Sequence, residues 1–126
     1  MGETIRIGIM PMEQYKKRTL DIAGGRYSPG KNETKVWFPS IESALQVLSS
    51  RNQELLRVIV EKKPDSLTSL ADMTGRSKSN LSRTLRTMER YGLLDIVREK
   101  SRIVPLPKAT RFNIDIQINA IEDQGR

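Results

Sequence analysis

Residues 67–94, LTSLADMTGRSKSNLSRTLRTMERYGLL, decide the fold. Pro64 closes the element before them, Asp65 or Ser66 is placed to cap a helix start, and Leu67, Leu70 and Ala71 repeat at helical spacing. Gly75 allows a sharp turn, and Ala71, four residues earlier, lets the flanking helices cross closely. A longer helix follows over residues 77–91, closed by Gly92 as a left-handed cap. Thr74 and Arg76 flank the turn where apolar residues are more usual in a helix-turn-helix.

Wrapped at about 100° per residue with Leu81 at zero, the second helix separates into two faces. Leu85, Met88 and Thr84 fall within roughly 60° of Leu81 and form the buried side, whereas Ser79, Arg83, Arg86 and Arg90 lie opposite, flanked by Asn80 and Ser82. Cations one turn apart on a helix suit the major groove of DNA, because an arginine fork matches guanine O6 and N7 and Asn can pair with adenine N6 and N7. Arg76, Ser77, Lys78 and Ser79, around the helix start, are placed for phosphates or bases at close approach.

After Gly92 the apolar period changes to two. Residues 94–98 and 102–106 read as strands joined by the polar turn Glu99-Lys100-Ser101, with Pro105 and Pro107 suited to an edge strand. The hairpin tip carries Arg98, Lys100, Ser101 and Arg102 and completes a winged helix. A wing in that position reaches a phosphate or the minor groove, giving affinity and salt dependence rather than sequence choice. Ten of the 22 Lys and Arg but only three of the 15 Asp and Glu fall within residues 76–111, so the remainder is neutral and this segment holds the whole net charge of +7. A positive charge confined to one segment is the footprint of a polyanion-binding surface.

Composition removes most enzyme classes. With neither Cys nor His, thiolate or imidazole metal sites, Ser-His-Asp catalysis and Cys-His catalysis have no residues to use. The acidic residues are scattered, no glycine-rich phosphate loop is present, and nothing calls for a cofactor or metal. With two Phe, one Trp and three Tyr, the chain lacks the aromatic platform of single-stranded RNA binders. No apolar run reaches the ~20 residues of a membrane span. The start, MGETIRIGIMPMEQ, lacks a secretory pattern, and Arg6 occupies the position where a myristoylation signal has Ser or Thr, so the expectation is a cytoplasmic protein.

The flanks supply the rest. Ile5, Ile7 and Ile9 alternate as in a half-buried strand, Pro11 starts a helix to about residue 23, and residues 26–34 form a polar loop. Residues 35–38 read as a short strand. Pro39-Ser40 opens a helix with Ile41, Ala44, Leu45 and Leu48 on its apolar face. Ser50 and Gln53 fit a capping box for a helix over residues 51–63 with Leu55, Leu56, Ile59 and Val60 inward. Residues 111–118 alternate with Phe112, Ile114, Ile116 and Ile118 on one face, and can pair with the first strand, the hairpin or another subunit.

Residues 50–106 resemble the MarR-like winged-helix regulators of bacteria and archaea, and more closely a family of predicted DNA-binding regulators of that type. The likeness lies in Arg51-Asn52, Glu54-Leu55-Leu56, Leu70-Ala71, Gly75-Arg76, the run from Ser79 to Leu85, and Glu89-Arg90-Tyr91-Gly92-Leu93. The starts Thr4-Ile5-Arg6-Ile7-Gly8 and Phe38-x-Ser40-Ile41-Glu42 resemble it too, and Arg76 is at home there. Some members resemble antitoxins that repress their own operon, which by resemblance alone implies a toxin as protein partner.

The expectation is an α+β, mainly α chain that is no enzyme. Residues 1–48 would form a strand-helix extension for dimerisation or partner binding, residues 49–108 a winged helix-turn-helix, and residues 109–126 a strand and tail. Its role would be a dimeric repressor on double-stranded DNA. The alternative is a winged-helix interaction module of the antitoxin kind, with Tyr27, Val36 and Trp37 as its exposed apolar patch.

Overall fold

Serine caps and left-handed glycines punctuate the chain at the places where its apolar period changes. The computed structural model describes residues 3–25 and 36–116. Strand β1 (Thr4–Ile9) leads to helix α1 (Met12–Ala23), then β2 (Val36–Phe38) and α2 (Ile41–Val47). Three helices follow, α3 (Ser50–Lys62), α4 (Leu67–Thr74) and α5 (Lys78–Tyr91). A hairpin of β3 (Leu94–Glu99) and β4 (Arg102–Pro107) precedes β5 (Arg111–Asp115). The architecture is α+β.

Ser40, Ser49, Ser66 and Ser77 each accept the backbone N–H three residues on, satisfying a donor that the first helical turn leaves open. The cap of α3 is therefore Ser49, one residue before the expected Ser50. Gln53 is not part of a capping box: its side-chain amide donates to the Leu48 carbonyl, and that of Asn52 donates to the Val47 carbonyl. Two side chains of α3 thus close the end of α2, fixing the junction between them.

Two sheets frame the helices. The hairpin pairs antiparallel from Leu94↔Pro107 to Glu99↔Arg102, so Lys100 and Ser101 alone make its turn, and each Pro lies in a strand with only one neighbour. The other sheet has the order β2-β1-β5 and is parallel throughout. The last strand has thus found the first, more than a hundred positions away in sequence, with Ile5 beside Phe112 and Ile7 beside Ile114. In the central strand, a methyl group on Gly8 would overlap the six-membered ring of Trp37, its register neighbour in β2. Only glycine allows that approach.

One core draws on both sheets and on α2 to α5. Ile7, Val36, Phe38, Ala44 and Leu48 join Leu55, Leu56, Ile59, Leu70, Leu81, Leu85, Met88, Leu93 and Leu94 in a single cluster. Val36 is only 5% exposed, so it cannot serve the exposed apolar patch expected of it; Trp37 is half-buried and Tyr27 lies outside the described residues. The expected face of α2 holds for Ala44 and Leu48, but Leu45 is 53% exposed. On β5, Phe112 packs against the core while Ile114 is 37% exposed; the expected strand stops at Asp115, so Ile116, 51% exposed, lies past its end and Ile118 is outside the described residues. Among the described residues no helix is long and apolar enough to cross a membrane.

Candidate nucleic-acid interface

The longest amphipathic element, α5, sets the geometry. Leu81, Leu85 and Met88 are at most 1% exposed, and that buried stripe fixes the helix's rotation about its axis. Its C-terminal end is fastened twice. Gly92 (φ +88°) turns the chain, with the N–H of Gly92 donating to Glu89 and that of Leu93 to Met88. Tyr91 stacks on Phe38 of β2, ring centroids 4.1 Å apart. At the other end Gly75 (φ +75°) terminates α4, and the Ser77 hydroxyl caps α5 by accepting from Asn80 N–H at 3.1 Å.

On the side opposite the stripe, Ser79, Arg83, Arg86 and Arg90 are all exposed, as is Lys78 in the first turn. None of these four cations enters an ion pair among the described residues. A row of unneutralised cations on a rigid helix keeps its full field for an external anion. Ser82 is half-buried where α5 meets the hairpin, beside Arg86, Ile96, Arg98 and Ile103.

Arg76 and Asn80 are employed differently. The half-buried guanidinium of Arg76 donates from Nε to Asn80 Oδ1 at 2.8 Å, from one terminal nitrogen to Asn52 Oδ1 at 3.2 Å, and from the other to Thr84 Oγ1 at 3.3 Å. It therefore ties α3 to two successive turns of α5. Its own N–H donates to Thr74 Oγ1, and that hydroxyl donates to the Leu70 carbonyl. These bonds account for the polar residues flanking Gly75: the turn is held by a hydrogen-bonded network where an apolar contact is more usual. Burial first, and the nearby Arg51 cation second, hold the Arg76 guanidinium below its ordinary pKa. Asn52 and Thr84 belong to this clamp and were not among the expected site residues. The available signal was the spacing of Asn80 and Thr84, four and eight residues after Arg76.

The hairpin cations are mostly paired. Arg98 reaches back to α5 and grips both carboxylate oxygens of Glu89, at 3.2 and 3.1 Å. The hydrogen bond from Arg98, and then its charge, hold the Glu89 carboxyl below its ordinary value. Arg102 pairs with Glu99 at 3.0 Å, and Lys108 lies 3.9 Å from Asp95. Lys100 is exposed, unpaired among the described residues and left-handed (φ 49°), with Ser101 exposed beside it at the tip.

The helices and hairpin that carry these groups fall inside residues 47–114, the stretch matched by the model of the HVO_A0114 family, and the chain belongs to that family. No curated protein and no solved structure matches the chain.

Proposed function

We propose that the protein is a sequence-specific regulator of transcription that binds double-stranded DNA as a dimer, most readily as a repressor. In this reading α3, α4, α5 and the hairpin are a winged helix-turn-helix of MarR-like type. The observation that carries it is the outer face of α5, with Arg83, Arg86 and Arg90 exposed and, among the described residues, free of ion pairs, on a helix whose rotation is fixed by a fully buried stripe.

The residues divide the work. Arg83, Arg86 and Arg90, with Ser79 and Ser82, read base edges and adjacent phosphates in the major groove. Ser77 and Lys78 meet the backbone at the helix start. Lys100 and Ser101 place the wing tip on a phosphate or in the minor groove, where contact adds affinity without sequence choice. Arg76 and Asn80 are positioning residues that set the angle of α5, and Arg98 couples the wing to that helix through Glu89. One recognition helix spans few base pairs. A dimer that spaces two of them by about one turn of DNA, ~34 Å, would supply the missing specificity.

Selection of bound duplexes from a random pool tests this. The reading expects an enriched motif with two-fold symmetry; a pool that stays random after selection would remove it. The antitoxin alternative loses Val36 from its expected apolar patch.

A further inference from the structure

The outer edge of β5 is a second feature that looks unfinished. In the sheet order β2-β1-β5, this strand ends the sheet on one side, and among the described residues nothing pairs with its free edge. Beneath that edge runs an open groove of about 500 Å³, walled by Leu45, Leu48, Leu56 and Val60 of the α2–α3 region and by Phe112 and Ile114 of β5. Leu45 and Ile114 are exposed along it, and Ile116, just past the end of β5, is exposed as well. Gln53, Arg57, Glu61 and Thr110 also line the groove, so it is mixed in character. An unpaired strand edge beside it is a template for another strand.

The side chains of β5 say which strand. Its sequence, Arg111-Phe112-Asn113-Ile114-Asp115, is complementary to itself when reversed. Antiparallel pairing of two copies about an axis through Asn113 sets Arg111 across from Asp115 of the second copy, and Asp115 across from Arg111. The same register sets Phe112 across from Ile114, and Ile114 across from Phe112, on the groove side. Directly opposed residues of an antiparallel pair share a face, so each charge meets its opposite and each apolar residue meets another. At the axis, where any charged residue would meet its own like charge, stands neutral Asn113. Arg111 and Asp115 are exposed and make no ion pair among the described residues. We infer that β5 is the dimerisation strand: two copies join edge to edge through residues 111–115 in the register centred on Asn113, making one continuous six-stranded sheet and closing both grooves.

This interface rests on the dimeric part of the proposed function, and the experiment separates the two. Because the chain has no cysteine, Asn113→Cys introduces a single thiol, which sits at the two-fold axis. The full-length variant is oxidised or treated with a short bismaleimide, beside Gln46→Cys on the exposed side of α2 as control. The expected result is a covalent dimer from the first and little from the second. In sedimentation velocity, Asp115→Arg should raise the dimer dissociation constant about tenfold or more, since two attractive pairs become repulsive. Adding Arg111→Asp to the same chain should restore it, a rescue that rules out simple misfolding. A native chain that is monomeric at micromolar concentration overturns both the interface and the dimeric reading. A dimer that neither crosslinks at position 113 nor responds to the charge swap overturns the interface and leaves the dimer standing.

Discussion

Removal of the Arg76 side chain separates a clamp from a DNA contact. Arg76→Ala leaves Asn52, Asn80 and Thr84 without the donor that joins α3 to α5. Hydrogen bonds from a charged donor contribute about 1.5–3 kcal/mol each, so three fully buried ones would contribute about 4.5–9 kcal/mol. The guanidinium is half-buried and water can replace part of each bond, which lowers the expected loss to about 2–4 kcal/mol. For a chain of this size that corresponds to a fall in melting temperature of roughly 6–15 °C. Arg76→Lys keeps the charge, but one ammonium cannot span three acceptors, so it should recover less than half of the loss. The assays are thermal and urea unfolding followed by circular dichroism, with DNA affinity measured well below the new melting temperature. A melting temperature unchanged in Arg76→Ala, together with weaker DNA binding, would make Arg76 a phosphate contact and refute the clamp.

Four further outcomes follow from the geometry. Gly8→Ala forces a methyl into the Trp37 ring and should cost about 1–3 kcal/mol; a shift in the emission of the single tryptophan reports it directly. Lys100→Gly removes a left-handed non-glycine residue along with its cation. Stability should rise by roughly 0.5–1 kcal/mol while the salt slope of DNA binding flattens by about one unit, as read by thermal melts and a salt titration. Glu89 has its pKa lowered in the folded state, so its pairing with Arg98 stabilises the fold above the ordinary carboxyl value of 4.5 and is lost as pH falls below that toward the folded value. Glu89→Gln should therefore flatten the acid limb of a stability–pH curve, and an unchanged limb would show that the pair adds nothing. Ser77→Ala deletes the cap of α5 and should cost about 0.5–2 kcal/mol in denaturant unfolding.

Periodicity made α5 legible from sequence, because a 14-residue amphipathic helix has one orientation that buries Leu81, Leu85 and Met88. The turn at Gly75, the cap at Gly92 and the hairpin were legible for a similar reason: their signals are local. What failed to show was which way a polar side chain turns. Arg76 counts as a cation in any charge tally, yet its direction depends on Asn52, contributed by a helix that lies 24 positions earlier in the chain. Arg98 likewise adds to the net charge but faces Glu89. The cap of α3 fell on Ser49 because adjacent serines offer the same chemistry and only the entry angle of the chain chooses between them. Alternation in residues 111–118 announced a strand without a partner; its pairing with β1 depends on a core assembled from both ends of the chain. That same pairing leaves the edge from which the dimer is inferred.

Sequence reading by the outer face of α5 is tested most directly by comparing Arg83→Ala with the native protein on the selected duplex and on a scrambled one. Arg83 is exposed and makes no ion pair among the described residues, so its loss should leave the fold intact. The expected result is a loss of about 1–3 kcal/mol on the selected duplex and much less on the scrambled one. Equal loss on both, or none on either, would contradict the assignment of α5 as the element that reads DNA.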